Sequence, residues 1–367
     1  MDASLEHVWN GEEDRKLHIR RVVPTYQGEE EILEKIIPFL RQSDFYWIMK
    51  MRYLKNKCLI NQCFDRKMEA GNTYCTIILQ DISVLLGLRV DGLPLIGPTN
   101  LNWADLCEEL LGVRPQEGEI KGSMVKLSRL AHHFAQINNH EDEEQVRRFT
   151  RAWILRFIGG VLFVDKSSNK VFLRYLQFLL DFRDCSTYAW GPAVLVFVYR
   201  KMCSVTDYKT KSIGRWLRRG NQHISNDDVR VFRRKLDIMK RHEFVWEPYT
   251  ATVMSLLPPI CVVRSVVWFT VVLLICFQQP IPGSHSQPLN IHGITLKGKH
   301  DKNWRQLFAP MIDQWNNRHA FRVDAYPRQE GLLSFNSDYM LWYRRKTKMF
   351  VDPQNANTVT LAEFLET

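Results

Sequence analysis

The sequence predicts an all-α protein, built as a single multi-helix, bundle-like domain with few or no strands. Apolar residues recur at three- and four-residue steps through most of the chain, which is the spacing of one helix face. Several of these periodic segments end at a glycine, the residue that most readily takes the left-handed conformation at a helix end. With 367 residues, 45% of them hydrophobic and 25% charged, the chain can also bury a sizeable core.

Two short helices are predicted between residues 28 and 60. The first carries apolar residues at helical spacing, namely Ile32, Ile36, Phe39 and Leu40. An aromatic cluster at 45–47 follows it. The junction falls at residues 42–44, where Ser43 or Asp44 can cap a helix.

A third helix is predicted to begin after Asn72 and to end at Gly87. Its apolar face consists of Ile77, Leu79, Ile82, Leu85 and Leu86. Gly87 stops the helix because glycine tolerates a left-handed backbone that other residues resist. Residues 90–98 then have the composition of a turn-rich connector.

The middle of the chain predicts five further helices, over residues 102–112, 121–136, 141–157, 171–182 and 188–203. The last two are almost continuously apolar, which is typical of central helices, and Tyr188, Trp190 and Phe197 are core candidates. The pair Gly159-Gly160 allows the chain to bend and helices to pack closely. No Gly-Lys-Ser or Gly-Lys-Thr follows it, so a phosphate-binding loop is not predicted.

Two apolar segments stand out toward the C-terminus. Residues 265–277 are uncharged but only thirteen residues long, so a buried element is predicted rather than a membrane span. Residues 303–315 predict a helix that Pro310 can kink. Its apolar stripe consists of Trp304, Leu307, Phe308, Met311, Ile312 and Trp315. The aromatic residues of 339–346 are expected to pack against the core rather than to touch an acidic partner.

Cysteine usage favours an intracellular, reducing compartment. The eight cysteines lie mostly inside apolar runs, and neither a Cys-x-x-Cys pair nor a Cys/His quartet has zinc-ligand spacing. Residues 1–13 are acidic and lack an apolar signal core, so secretion is not expected. His132 and His133 adjoin an apolar face, but adjacent helical side chains point in different directions, so no metal site is predicted there.

Positive charge is concentrated in one segment. The formal net charge is +10, and residues 209–241 contain eleven Lys or Arg and three Asp, a net charge of +8. The candidate contact residues are Arg215, Arg218, Arg219, Arg230, Arg233, Arg234 and Lys235. They match a bipartite nuclear-import signal, and they can also neutralise a nucleic-acid backbone while Trp216 and Phe232 stack on unpaired bases.

A third interpretation of the same segment is a solvated helix face. A helix over 227–242 would hold its basic side chains in water while their aliphatic stems cover the apolar side. That buried side would consist of Val231, Leu236, Ile238 and Met239. The three interpretations remain open at the level of the sequence.

Four motifs carry a resemblance to a known family. They are residues 75–92 (CTIILQDISVLLGLRVDG), 149–167 (FTRAWILRFIGGVLFVDKS), 188–195 (YAWGPAVL) and 211–214 (KSIG), in that order. On these motifs the chain resembles the plant mobile domain family over roughly residues 45–350. The resemblance divides the chain into an N-terminal segment 1–44 with a short helix, a plant mobile domain 45–350 and a C-terminal tail 351–367.

The resemblance implies a nuclear interaction protein. The family includes meristem-maintenance factors, long-form relatives of plant phosphatase seven and proteins carried by transposable elements. It therefore implies action in meristem maintenance and development, gene-expression control and transposon silencing, with nuclear proteins as partners and a phosphatase-seven-like protein as a candidate among them. The alternative is a transposon-derived accessory protein that binds nucleic acid through residues 209–241. No membrane partner is expected.

The family also carries the label aminotransferase-like, which the residues of this chain do not support. An aminotransferase needs a Schiff-base lysine, a carboxylate facing the pyridinium nitrogen and a phosphate cup rich in Gly, Ser and Thr. Lys166 and Lys170 fall instead in a turn-forming sequence between two apolar segments. The motifs with which a metallophosphatase holds two ions are also missing. No enzyme activity, catalytic residue, cofactor or metal site is therefore predicted.

The chain departs from its relatives at three places. Most members have Thr where this chain has Ile78, so the helix-capping box retains only Asp81, with Thr76 as a weaker substitute cap. A leucine-rich helix is missing after Gly214, and a second block is missing after Phe277. Loss of a helix exposes apolar neighbours, which indicates a marginal fold, a degenerate copy or an imperfectly predicted gene.

Overall fold

The computed structural model describes residues 18–19, 29–53, 77–137, 142–164, 169–205, 212–213, 231, 234, 237–238, 249–255, 257–271, 273–277, 279–281, 303–323, 334, 336–338 and 340–341. Helices make up most of these residues, and the strands among them are two or three residues long and pair two by two. The all-α prediction is therefore confirmed. Most buried apolar side chains belong to one contiguous core.

The first two helices lie where they are predicted. Helix α1 spans Glu29–Gln42 and α2 spans Phe45–Tyr53. The hydroxyl of Ser43 donates to the Leu40 carbonyl at 3.2 Å, so it closes α1. Asp44 has a φ of 62° and turns the chain. Upstream of α1, strand β1 (His18–Ile19) pairs in parallel with β4 (Ser212–Ile213).

The next two helices have well-defined ends. Helix α3 spans Leu79–Leu86 and α4 spans Trp103–Leu111. Each ends at a left-handed glycine, with φ of 64° at Gly87 and 70° at Gly112. The Asn102 side chain caps α4 by accepting from the Ala104 amide at 3.1 Å. These ends confirm the glycine stops predicted from the sequence, although α3 is described only from Leu79.

The predicted helix 121–136 is wrong in its first half. Strand β2 (Met124–Lys126) occupies it and pairs antiparallel with β3 (Lys170–Phe172), and α5 (Leu127–His133) follows. Gly122 has a φ of 66°, which turns the chain into the strand. The prediction failed because the apolar residues keep helical spacing through 124–126, although this backbone pairs with residues about forty-five positions later. The spacing of neighbouring residues gives no information about such a distant contact.

Helix α6 spans Glu143–Phe157 and continues into a π-helical turn at Ile158–Leu162. The Asp142 carboxylate caps it by accepting from the Gln145 amide at 2.8 Å. A side chain at Gly159 would place its Cβ 2.4 Å from the Cβ of Val171. The close approach predicted for this glycine is therefore confirmed, but its neighbour lies on strand β3 and not on another helix.

The predicted helix 171–182 is also wrong. After β3 the chain forms a 3₁₀ helix at Leu173–Leu179 and a short α7 at Phe182–Cys185. The sequence did not indicate this conformation, because an almost continuously apolar segment has the same hydrophobic pattern as an α-helix, a 3₁₀ helix or a strand. Helix α8 (Trp190–Val205) is central as predicted. Trp190 is 1% exposed and meets Phe45 edge-to-face at 5.1 Å, whereas Tyr188 and Phe197 are half-buried.

The apolar segment 265–277 is partly a buried element. Two short helices precede it, α9 (Ala251–Ser255) and α10 (Pro259–Val262). The segment itself begins with a 3₁₀ helix at Ser265–Phe269 and ends with strand β5 (Leu274–Cys276). Strand β5 pairs antiparallel with β6 (Gln279–Ile281). Residues 273–277 are buried, as predicted, but Val266 and Phe269 are exposed. None of the helices described has the length and apolar character needed to cross a membrane.

The helix predicted over 303–315 is broken in two. Helix α11 spans Trp304–Leu307, α12 spans Ala309–Asn316, and a 3₁₀ turn follows at Arg318–Ala320. Pro310 lies in the first turn of α12, where its missing N–H costs nothing. The break leaves Leu307 54% exposed, outside the stripe predicted for it. A small second core joins these helices to β5 through Ile96, Leu273, Ile275, Trp304 and Phe308.

Candidate functional site

The first carboxylate of the 75–92 motif, Asp81, caps its own helix. Its side chain is fully buried and accepts from the Ile78 amide at 2.8 Å and from the Tyr249 hydroxyl at 2.6 Å. The Ile78 side chain has no acceptor, so only this half of a capping box exists. Asp81 thus holds both the start of α3 and a residue far along the chain.

The second carboxylate of the motif, Asp91, lies between two guanidinium groups. It is 3% exposed. Arg318 Nε donates to Asp91 Oδ1 at 2.6 Å, and Arg264 Nη1 donates to Oδ2 at 2.8 Å. Arg318 also donates to the carbonyl of Trp315, whose indole N–H donates to the Gly92 carbonyl at 2.8 Å. Both oxygens of this carboxylate are therefore used inside the fold.

The 188–195 motif packs against the end of the 75–92 motif. The Gly191 amide donates to the Arg89 carbonyl at 2.8 Å. A side chain at Gly92, where φ is 136°, would come within 2.3 Å of the Thr187 carbonyl oxygen. Gly92 and Gly191 are therefore required by close backbone approach.

The 149–167 motif contributes a buried arginine. Arg151 is 5% exposed and donates to the carbonyls of Leu179 at 3.0 Å, Leu110 at 3.2 Å and Leu180 at 3.2 Å. Glu144 pairs with it at 3.1 Å. A planar guanidinium with several donors can satisfy carbonyls in different directions at once. Arg151 thus joins α6 to the ends of α4 and of the 173–179 3₁₀ helix.

The described thiols are inert. Burial raises the pKa of Cys107, Cys261 and Cys276 to about 12 in each case, and it raises the pKa of Cys185 further. A thiol with such a pKa stays protonated at neutral pH and is a poor nucleophile and metal ligand. Within the described part of the chain, no group of three or more His, Cys, Asp or Glu side chains could hold a metal ion.

One polar cleft of about 420 Å³ opens between the connector after α3, the 173–179 3₁₀ helix and α11. Its lining includes Gln177, Tyr188 and Arg305 together with Asn100 and Asn303. Burial raises the pKa of Tyr188, and the nearby charge of Arg305 opposes that rise. The cleft offers amide, hydroxyl and guanidinium groups for hydrogen bonding, and none of the described residues that line it is a cysteine, an acid, a lysine or a histidine.

The basic segment 209–241 is represented by few described residues. Arg234 is exposed, whereas Arg215, Arg218, Arg219, Arg230, Arg233 and Lys235 lie outside the described residues. Val231 and Ile238 are 52% and 65% exposed. The apolar side expected to be buried is thus open at these two positions. The basic contact surface on residues 209–241 therefore stays a prediction.

A second cleft of about 380 Å³ contains the adjacent histidines of α5. The rings of His132 and His133 lie 5.6 Å apart in an edge-to-face arrangement. Arg129 lines the same cleft and pairs with Glu119. Desolvation lowers the pKa of His133, and the charges of Arg129 and His132 lower it further.

The fold and the site together define a class of protein: a helix-rich domain whose motif carboxylates, guanidinium groups and glycines are used in its own packing. Residues 44–214 match the plant mobile domain family. This stretch of the chain therefore carries the plant mobile domain, and the chain is similar to relatives of the MAIN type.

Curated relatives from Arabidopsis thaliana are similar to the chain. A serine/threonine-protein phosphatase 7 long form homolog is 29% identical over 393 residues, which cover 88% of this chain and 29% of the relative. Protein MAIN-LIKE 2 is 30% identical over 66% of this chain and 42% of its own length. Protein MAINTENANCE OF MERISTEMS is 28% identical over 50% of this chain and 40% of its own length. The chain thus spans less than half of each of these relatives. No solved structure matches it significantly.

Sequence reasoning found the motifs but missed what their polar residues do. It treated Asp91 as part of a turn and assigned no role to Arg151. The available signal was the residue type itself, because an arginine within the apolar run 149–164 must find several acceptors when it is buried. The identity of those acceptors depends on contacts that only the folded chain makes.

Proposed function

We propose that this chain is a non-catalytic interaction protein of the nucleus, which acts in meristem maintenance and development, gene-expression control and transposon silencing. The observation that carries the proposal is the similarity to MAIN-LIKE 2 and MAINTENANCE OF MERISTEMS. Its partners are nuclear proteins, and the relative named after phosphatase 7 makes a phosphatase-seven-like protein a candidate among them.

The chemistry of the motifs supports a role without catalysis. Asp81, Asp91 and Arg151 are buried and bonded within the protein, whereas catalytic groups must reach a bound substrate. The described thiols are held protonated by burial. A chain that uses its motif groups in this way acts on other macromolecules through its surface.

The proposal is tested by location, partners and turnover together. A fluorescent fusion of the full chain is expected to accumulate in plant nuclei, and affinity purification from those nuclei is expected to recover a phosphatase-seven-like protein. The purified chain is expected to turn over neither an amino acid with pyridoxal phosphate nor p-nitrophenyl phosphate with manganese. Exclusion from the nucleus, or turnover above that of heat-denatured chain, contradicts the proposal.

The local charge of residues 209–241 favours a second candidate, an accessory protein that binds nucleic acid. This segment carries a formal net charge of +8, and Arg234 is exposed. Neutralising phosphates releases counterions, so such binding weakens steeply as the salt concentration rises. The second candidate therefore predicts strongly salt-dependent binding of a labelled DNA or RNA oligonucleotide.

A matched pair of variants separates this candidate from a general effect of charge. The test variant combines Arg233→Glu, Arg234→Glu and Lys235→Glu. The control combines Lys121→Glu, Lys126→Glu and Arg183→Glu, which changes the net charge equally at exposed positions elsewhere. Loss of binding in the test variant alone supports the second candidate. Equal loss in both variants rejects specific binding of nucleic acid through residues 209–241.

A further inference from the structure

The polar cleft between the connector after α3, the 173–179 3₁₀ helix and α11, here named the Tyr188–Arg305 cleft, contains a hydroxyl that the fold does not use. Tyr188 begins the 188–195 motif and lines the cleft. Polar groups of the other motifs, such as Asp91 and Arg151, are bonded inside the protein. The Tyr188 hydroxyl has no hydrogen bond to any residue that the structure describes. It can therefore donate to, or accept from, a molecule in the cleft.

A guanidinium group lies near this hydroxyl. Burial chiefly raises the pKa of Tyr188; the positive charge of Arg305 is the next largest influence and lowers it, and Asp184 and Cys185 raise it by less. Arg305 is exposed and lines the same cleft. Among the described residues it has no carboxylate within ion-pair distance. The hydroxyl and the guanidinium are therefore both available to one ligand.

Amide groups add to the polar lining. The Asn303 side-chain oxygen accepts from the Gln306 amide at 3.2 Å. This bond fixes the orientation of the Asn303 amide and leaves its NH2 group as a donor. Asn100 is exposed and supplies a second amide, which has no hydrogen bond within the described part of the chain. The cleft thus offers several donors besides Arg305.

The sides of the cleft are joined by hydrogen bonds. The Gln177 side chain donates to the Pro98 carbonyl at 3.2 Å, which joins the 173–179 3₁₀ helix to the connector after α3. The Trp304 indole donates to the Thr99 hydroxyl at 3.0 Å, which joins α11 to the same connector. A ligand therefore meets an ordered site and loses less entropy on binding.

Part of the lining is aromatic. The rings of Phe178 and Tyr188 meet edge-to-face with 4.8 Å between their centroids, and both residues line the cleft together with Ile96 and Pro98. Phe178 is buried, so it supports the Tyr188 ring from the core. Aromatic side chains favour the packing of other flat rings. The volume of about 420 Å³ lies within the range of small-molecule sites, about 300–1,000 Å³.

The charges of the cleft indicate the class of ligand. Arg305 carries the positive charge of the described lining, which includes neither a lysine nor a second arginine. A single guanidinium matches a single carboxylate, to which it can donate two parallel hydrogen bonds. A phosphate monoester carries nearly two negative charges at neutral pH, and the nearby Asp184 would repel it. The balance of charge therefore favours a monocarboxylate.

We propose that the Tyr188–Arg305 cleft binds a small aromatic monocarboxylate. The carboxylate accepts hydrogen bonds from the Arg305 guanidinium and the Tyr188 hydroxyl. The ring of the ligand packs against Tyr188 and Phe178. The inference adds a small ligand to a chain for which a protein-binding role is proposed, and it does not depend on that role.

The test is a titration of the purified full chain followed by ligand-observed NMR. Benzoate, cinnamate and 2-naphthoate are compared with their neutral amides and with phenyl phosphate. At least one carboxylate is expected to bind with a Kd of about 1 mM or below, which is ordinary for a compound of this size. Its amide is expected to bind about tenfold more weakly, because a charge-assisted hydrogen bond is lost. Phenyl phosphate is expected to bind more weakly than benzoate.

Two variants test the named contacts. Arg305→Gln removes the charge and keeps a polar side chain, and it is expected to weaken carboxylate binding about tenfold or more while it leaves amide binding unchanged. Tyr188→Phe removes the hydroxyl and keeps the ring, and a loss of about threefold to tenfold is expected. The matched control, Lys126→Gln, removes one positive charge at an exposed position outside the cleft. It is expected to bind like the unchanged chain, and thermal unfolding checks that every variant is folded.

Several results would overturn the inference. Equal binding of the carboxylate by the unchanged chain and by Arg305→Gln would do so, as would an amide that binds as tightly as its carboxylate. Equal losses in Arg305→Gln and Lys126→Gln would show an effect of net charge alone. Tighter binding of phenyl phosphate than of benzoate would reject the monocarboxylate. Absence of binding by all three carboxylates at concentrations up to about 10 mM would reject the site. None of these results depends on nuclear location or on a protein partner.

Discussion

The carboxylate of Asp91 and the guanidinium of Arg318 form a buried ion pair across 227 residues of sequence, with Nε 2.6 Å from Oδ1. Asp91 belongs to the 75–92 motif, and Arg318 follows α12. Arg264 reaches the other oxygen of the same carboxylate. The motif therefore binds two later parts of the chain to the N-terminal helices, and this explains the presence of a second carboxylate at the end of the motif.

Replacement of Ile78 by Thr is expected to stabilise the protein. Ile78 occupies the N-cap of α3 in an extended conformation, and Asp81 already accepts from its amide. A threonine hydroxyl would accept from the Asp81 amide and complete the capping box, a gain of about 1 kcal/mol. The free energy of unfolding in urea measures it. Ile78→Val, which has the shape of Thr without the hydroxyl, is the control and should show no gain; equal effects of the two changes would refute the capping argument.

Replacement of Arg151 by Lys is expected to destabilise the protein by about 2–4 kcal/mol, because each buried carbonyl left without a donor costs about 1–3 kcal/mol. A single ammonium group cannot reach the three carbonyls of Leu110, Leu179 and Leu180 that the guanidinium satisfies. Denaturant unfolding measures the loss. Arg183→Lys changes an exposed arginine in the same way and should shift the free energy by less than about 0.5 kcal/mol. Similar effects of the two changes would show that the charge alone matters at position 151.

Stability is expected to fall with decreasing pH through His319. Desolvation chiefly, and then three arginines, lower the pKa of this histidine below its ordinary value. Between the lowered folded pKa and the unfolded value of about 6.5, the unfolded chain binds more protons, so acid favours unfolding. His319→Gln should therefore lose less stability than the unchanged chain between about pH 7 and about pH 5.

Urea unfolding at several pH values measures the His319 effect. Above about pH 8 the histidine is neutral in both states, so the difference between the two proteins should no longer change with pH. Identical pH profiles for the unchanged chain and His319→Gln would show that neither desolvation nor the three arginines lower the pKa of this side chain.

The sequence predicted those parts of the fold that local chemistry controls. Gly87 and Gly112 end helices where expected because a left-handed residue is a local requirement. The β2–β3 pairing was missed because its two strands lie far apart in sequence. The break at Phe308 was predicted only in part. Pro310 indicated a kink in one helix, but the chain forms two helices, α11 and α12, and Leu307 is exposed.

The candidate site was less predictable than the fold. Composition located the basic segment 209–241, yet no pattern in the sequence linked Asp91 to Arg318 or indicated that Val266 and Phe269 are exposed. An apolar run indicates burial by default, so the exposed half of 265–277 had the same signal as its buried half. The difference arises from pairing with residues 321–323, a contact that only the folded chain makes.

A double-mutant cycle between Asp91 and Arg318 tests most directly whether the motif residues act by holding the fold together. Asp91→Asn, Arg318→Gln and the double variant are unfolded in urea, beside a control cycle on the exposed pair of Asp105 and Arg114, which are 2.7 Å apart. We expect a coupling energy of about 1–3 kcal/mol for Asp91 with Arg318 and below about 0.5 kcal/mol for the control. Equal coupling in the two cycles would contradict the account.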